Sequence, residues 1–141
     1  MSFTDVTNLL EKTQVVAIVT TRANGDPVAT PIWSMVVDGE AYLRSAFGES
    51  SWWYRHVRAG RPVAFAMGDG AIAERDRDAA LALPRERVST SEVTTGHPVQ
   101  QLIDTELLRK YAGAPQTSID AMLSAEARAC TLRVDVPSPG A

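Results

Sequence analysis

The dipeptide Asp38-Gly39 constrains the fold of this chain more than any other feature. It separates two β-rich runs, residues 28–37 and 40–47. Both central positions of a type I′ hairpin turn need φ > 0, which Asp and Gly tolerate. The spacing therefore predicts strand, two-residue turn, strand. Gly48 breaks the second run, and Ser50 or Ser51 is placed to cap a helix carrying Trp52, Trp53, Tyr54, Arg55 and His56. Rings, hydroxyls and fixed positive charge lie closest together in this stretch, residues 28–61. A small anionic aromatic molecule is expected to bind there.

The flanking sequence reads as more sheet with helices inserted. Residues 3–12 form a short helical pattern, with Val6, Leu9 and Leu10 on one face. Residues 14–21 (QVVAIVTT) and 62–67 (PVAFAM) are β-branched or apolar enough for strands buried on both faces, and 88–93 alternates more weakly. Asn24-Gly25 marks a turn. Pro31 lies inside the first hairpin run; proline cannot donate to a ladder, so that strand belongs at a sheet edge or a bulge. Residues 75–87 are charged, alanine-rich and closed by Pro84, and read as a surface helix or an irregular crossing. Pro98 opens a helix with Val99, Leu102, Ile103, Leu107 and Tyr111 on one face, and a further short helix follows Thr117 or Ser118. Residues 128–136 alternate, with Cys130, Leu132, Val134 and Val136 directed inward. Together these predict a mainly β fold with flanking helices, a small antiparallel barrel in one domain over residues 1–136, and a loose tail at 137–141. An open α+β sheet is the alternative.

Charge and composition narrow the function classes. A net charge of −3 and the lack of a basic stripe argue against nucleic acid or an anionic membrane as partner. No apolar run reaches the ~18 residues that a membrane span needs. The first residues, MSFTDVTNLLEKTQ, lack the basic and hydrophobic blocks of a secretory signal, so a cytoplasmic location is expected. One cysteine and two histidines without ligand spacing leave neither a disulfide framework nor a structural zinc site. No nucleophile–base set or paired carboxylate emerges from spacing, and no catalytic side chain is assigned.

The segment QVVAIVTTRANGDPVATPIWSMVVDGEAYLRSAFG, followed by the Trp/Tyr/Arg helix and GRPVAFAMGDG, resembles the pyridoxamine-phosphate-oxidase-like superfamily of flavin and deazaflavin oxidoreductases, and most of all an uncharacterised bacterial branch of it. The likeness covers roughly residues 10–136. It rests on Thr30-Pro31-Ile32-Trp33 in the second strand and Leu43-Arg44-Ser45-Ala46 at the end of the third. The resemblance implies an FMN-binding split β-barrel working as a homodimer. It implies FMN or a deazaflavin (coenzyme F420) as cofactor, used to oxidise or reduce a small organic substrate. On that reading Thr30, Pro31, Ile32 and Trp33 meet the ring edge, and Arg44 and Arg55 take the phosphate. Ser45, Ala46, Ser50 and Ser51 line the phosphate end, and Trp53 flanks the ring.

The same residues also have plainer roles. The Trp52-Trp53 pair can anchor a core or a dimer; Arg55, Arg58 and Arg61 can form a solvated helix face; Arg44 can belong to a surface ladder pair. His56 reads as an exposed or hydrogen-bonded helix residue, His97 as a cap or turn residue, and Cys130 as a small buried hydrophobe. Glu49 stands where cofactor-binding members of the family carry a base. It favours the alternative function, a cofactor-less split-barrel ligand-binding or structural dimer module.

Overall fold

The Asp38-Gly39 turn forms as predicted in the computed structural model, which describes residues 2–137. Asp38 and Gly39 both take positive φ, 51° and 79°. They join β3 (Met35–Val37) to β4 (Glu40–Arg44), with Val37 paired to Glu40 across the turn. The run before the turn, however, is two strands. β2 (Pro27–Ile32) ends before Trp33, and β3 begins after Ser34.

That break organises the sheet. With β1 (Val16–Thr21), β5 (Val63–Ala66), β6 (Arg85–Val93) and β7 (Thr131–Asp135), the strand order is β2-β1-β5-β6-β7-β4-β3, and every pairing is antiparallel. β2 and β3 are thus opposite edges of one sheet, yet only Trp33-Ser34 connects them. Two residues span roughly 7 Å at most, so the sheet curls until its edges meet at this corner. It is not closed: among the described residues β2 and β3 do not pair. Pro31 does lie on an edge strand, as its missing N–H requires. β6 begins earlier than its alternation indicates and crosses both halves of the sheet, pairing with β5 through Val88 and with β7 from Ser89.

A polar latch pins the corner. Helix α5 (Val99–Lys110) ends there, and Lys110 Nζ donates to Leu10 O (2.6 Å), Ser34 O (2.9 Å) and Ser34 Oγ (3.3 Å). The Tyr111 hydroxyl donates to Gln14 O (2.7 Å) and accepts from Ser34 N (3.0 Å). Its ring stacks on Trp33, centroids 4.0 Å apart and planes 7° off parallel. Burial lowers the Lys110 pKa to about 8 and raises that of Tyr111 to about 12, by disfavouring each charged form.

Three apolar layers cover the sheet. Inside the curl Val16, Ile18, Leu43, Phe65 and Leu132 meet Val6 and Leu10 of α1 (Phe3–Lys12) and Trp53 and Tyr54 of α2 (Trp52–Arg58). Under α5 and α6 (Gln116–Met122) lie Met35, Ile103, Leu107, Ile119 and Met122. The third layer is made almost wholly of alanine: Ala17, Ala29, Ala64 and Ala66 of the strands face Ala73 and Ala80. Those last two belong to α3 (Ile72–Arg75) and α4 (Arg77–Leu81), which replace the expected surface helix or crossing. Asp76 caps α4 by accepting from Ala79 N (3.2 Å).

Some inward assignments change. Leu102 is exposed on α5, and Val136 is exposed beyond the end of β7. Thr131 is buried rather than outward, because α7 (Ala125–Ala129) runs up to Cys130 and Thr131 bonds back to its carbonyls. Of the expected tail only residue 137 is described; 138–141 lie outside the described residues. No described helix is long and apolar enough to cross a membrane.

Candidate functional site

Most of the residues singled out in the sequence converge on one groove. Thr30, Pro31, Ile32, Trp33, Arg44, Ala46, Ser51 and Trp53 line a half-open cavity of about 660 Å³ between β2, α2 and α6. Arg55 does not line it, and Ser50 lies in a neighbouring hollow with Ala46, Ser51 and Glu126. Ser45 lines neither: its hydroxyl donates to Gly48 O (2.6 Å) and its N–H to Cys130 O (3.1 Å), which holds the turn after β4. Ser51 stands at the N-cap of α2, but its side chain accepts no capping bond. Trp53 is buried against Tyr54, edge to face, and the exposed ring is its neighbour Trp52, at 71%.

Arg44 takes neither of the roles expected for it. It is 2% exposed, and its two terminal nitrogens are saturated. Nη1 donates to Asp104 Oδ1 (2.6 Å) and Met122 O (3.2 Å), Nη2 to Gln100 Oε1 (2.7 Å) and Gln100 O (3.2 Å). Arg128 pairs with the other oxygen of Asp104. Burial lowers the Arg44 pKa, while the bond and charge of Asp104 oppose that. This knot ties β4 to α5, α6 and α7, and leaves the Nε atoms of Arg44 and Arg128 buried and unmatched.

The free positive charge lies elsewhere. A second cavity, about 570 Å³, is lined by Arg22, Arg55, Arg61 and Arg77 with His56, Trp52, Thr30, Val28 and Ala23. Among the described residues no carboxylate lines it. Arg22 comes from the β1–β2 turn, Arg55 and His56 from α2, Arg61 from the loop after it, and Arg77 from α4. Arg44, Arg58, Arg109, Arg128 and Arg133 pair with carboxylates. Among the described residues none of the four cleft arginines does. Arg55 Nε donates to Glu49 O (2.9 Å) and Arg61 Nη1 to Thr21 O (3.3 Å), bonds that orient the groups without neutralising them.

His56 forms the floor. Only 8% exposed, it shares a hydrogen bond through Nδ1 with Thr20 Oγ1 (2.9 Å), and no described residue bonds Nε2. Burial, then Arg61 and Arg22, lower its pKa, so the ring is neutral at pH 7. The other histidine is a turn residue as expected: His97 Nδ1 accepts from Val99 N (3.0 Å). Among the described residues no group of three or more His, Cys, Asp or Glu could hold a metal ion.

Sequence reading missed Arg22, Arg61, Arg77, Trp52 and the placement of His56. Arg22 was visible only as a turn residue, and Arg77 only as part of a mixed-charge run. Their convergence depends on α4 packing its alanine face onto β2.

These features define a class: an open, curled seven-stranded antiparallel sheet with flanking helices and a cationic cleft beside an aromatic groove. The chain belongs to the DUF2255 family, described as an uncharacterized protein conserved in bacteria, whose model matches residues 6–134. No curated protein matches the sequence. Among solved structures the fold is shared with conserved hypothetical protein Rv2991 from Mycobacterium tuberculosis, at TM-score 0.56 and 18% identity over 99% of this chain and 81% of that one. It is shared with Campylobacter jejuni ChuZ, at TM-score 0.59 and 17% identity over 93% of this chain and 50% of that one. The third is HutZ of Vibrio cholerae, described as a heme storage protein, at TM-score 0.55 and 11% identity over 96% of this chain and 89% of that one.

The expectation of an FMN or coenzyme F420 oxidoreductase is corrected. HutZ, which shares this fold, is described as a heme storage protein, not a flavin enzyme. The residue expected to hold the cofactor phosphate, Arg44, is consumed by Asp104 and Gln100 inside the protein. The alternative, a ligand-binding module, accords better with both observations.

Proposed function

We propose that this chain is a split-barrel ligand-binding module, related to the pyridoxamine-phosphate-oxidase-like superfamily, that works as a homodimer and holds a small organic anion in the arginine cleft. One observation carries the reading: four arginines converge on a cavity that contains no acid. Like charges so placed repel one another and raise the local potential; an anion relieves both, and charge-assisted bonds to guanidinium are the strong ones. The cavity volume falls within the range of small-molecule sites. Exposed Phe47, at the rim of the aromatic groove, supplies an apolar surface for a second copy.

Haem is the specific anion to try first, because HutZ is described as a heme storage protein. The residues here fit it. His56 has one ring nitrogen held by Thr20 and the other without a partner, the arrangement that suits an imidazole to a metal. The arginines would hold the carboxylates. On this reading haem is cargo rather than a resident cofactor. The test is titration with haemin and with inorganic pyrophosphate at low salt, by absorbance and calorimetry. Saturable binding that weakens at least tenfold in Arg22→Gln/Arg61→Gln supports the cleft as an anion site. A Soret shift lost in His56→Ala supports haem. Failure of both probes to saturate overturns the proposal.

A further inference from the structure

The arginine cleft and the aromatic groove are not separate cavities. Thr30, Trp52 and Arg77 line both, and Trp52 also borders the hollow beside Ser50. The two halves differ sharply in chemistry. One has four guanidinium groups and, among the described residues, no carboxylate; the other is walled by Pro31, Ile32, Trp33, Trp53 and Met122, and apart from the shared Arg77 its one charge, Arg44, is neutralised by Asp104. The apolar wall is rigid: Trp33 is clamped face to face on Tyr111, and Trp53 is buried against Tyr54. At the junction Trp52 lies 71% exposed, its ring under the Arg55 guanidinium at 5.5 Å and tilted toward His56 at 6.3 Å. A large ring left in water at the meeting of a cationic and an apolar cavity loses free energy until something flat covers it.

We infer that the two cavities are one bipartite site, and that its ligand is a flat aromatic acid. The ring system lies over Trp52 along the aromatic groove, and the acid group, directly on or close to the ring, reaches the arginines. Because the same three residues border both halves, a long spacer between ring and acid has no place to go. This rests on the cleft being an anion site, and it adds the apolar half, the short linkage, and Trp52 and Arg77 as the residues that enforce them.

The experiment compares three probes by calorimetry and tryptophan fluorescence: inorganic pyrophosphate (charge without a body), pyrenemethanol (body without charge) and pyrenecarboxylate (both). Pyrenecarboxylate is expected to bind at least tenfold more tightly than either other probe and to quench the exposed Trp52. Trp52→Ala is expected to lower its affinity about tenfold, the size of one lost aromatic contact with its buried area. Circular dichroism checks the variant's fold, which an exposed side chain does not support. If pyrophosphate binds and pyrenecarboxylate binds no tighter, the bipartite site is overturned while the anion site stands. If pyrenemethanol matches pyrenecarboxylate, the groove is a grease patch independent of the arginines, and the inference falls. If neither anion binds, both proposals fall together.

Discussion

Polar groups beneath α5 and polar groups around the arginine cleft are of the same chemical kinds and are treated in opposite ways. Beneath α5 the terminal nitrogens of Arg44, the Lys110 ammonium and the Tyr111 hydroxyl are bonded to Asp104, Gln100, Met122, Leu10, Ser34 and Gln14. Around the cleft Arg22 and Arg77 are exposed and form no ion pair among the described residues, and Arg55 and Arg61 each donate to one backbone carbonyl, Arg55 also lying over Trp52. The first set holds helices to a sheet that its own strands leave open. The second leaves donors without acceptors, which a folded protein tolerates only where water or a ligand supplies them. Saturation of donors, rather than residue type, separates the structural Arg44 from the arginines of the cleft.

The sharpest way to break this comparison is Arg44→Ala. It leaves Gln100 Oε1 with only its longer bond from Thr131 (3.3 Å) and Asp104 with half its counter-charge, so unfolding by urea should show a loss of about 3–5 kcal/mol. A loss near zero, coupled to weaker anion binding, would put Arg44 with the cleft instead. Tyr111→Phe is the next largest: it removes the hydroxyl between Ser34 N and Gln14 O, for about 1–3 kcal/mol. Because that hydroxyl pins the corner where the edge strands meet, hydrogen exchange should quicken at residues 32–36 before the rest of the sheet.

The latch also predicts a pH dependence. Lys110 titrates near 8 in the folded chain, below the 10.5 of an unperturbed lysine. Between those values the unfolded state binds more protons, so stability rises with pH from about 8 to about 10.5, with a slope approaching 1.4 kcal/mol per pH unit at most. Below pH 8 both states are protonated and the slope from this group vanishes. Denaturation midpoints measured across that range, flat in Lys110→Met and rising in the parent chain, check the assignment. The smallest expected effect on stability is in the cleft: Arg22→Gln/Arg61→Gln should stay within about 0.5 kcal/mol of the parent. Its anion affinity should fall at least tenfold, and the salt dependence of binding should flatten.

The fold was largely legible because its determinants are local. Asp38-Gly39, the β-branched run before Thr21, Pro31 and the 3- and 4-residue spacing of Ile103, Leu107 and Tyr111 each act over a few residues. The misreadings arise where distant elements decide. Residues 75–87 read as a surface helix or an irregular crossing, yet Ala80, with Ala73 just before them, finds an alanine face built from three strands. Thr131 alternates outward on paper but caps the carbonyls of a helix the pattern did not reveal.

The candidate site shows the same division more severely. Residues 30–33 with Arg44, Ala46, Ser51 and Trp53 share one groove, since strand, turn and helix there are contiguous and their geometry follows from the hairpin; Ser45, Ser50 and Arg55 do not line it. The chain's pattern of hydrophobicity and turns was enough for that. It was not enough to tell Arg44 from Arg22, because a guanidinium is defined by what lies within about 4 Å of it. Asp104 is sixty positions from Arg44, and Arg77 is fifty-five from Arg22. Packing brings the first pair into a buried ion pair and sets the second pair around one open cleft. Local sequence settled where the strands and helices run; only the assembled chain settled which positive charges were left for a ligand.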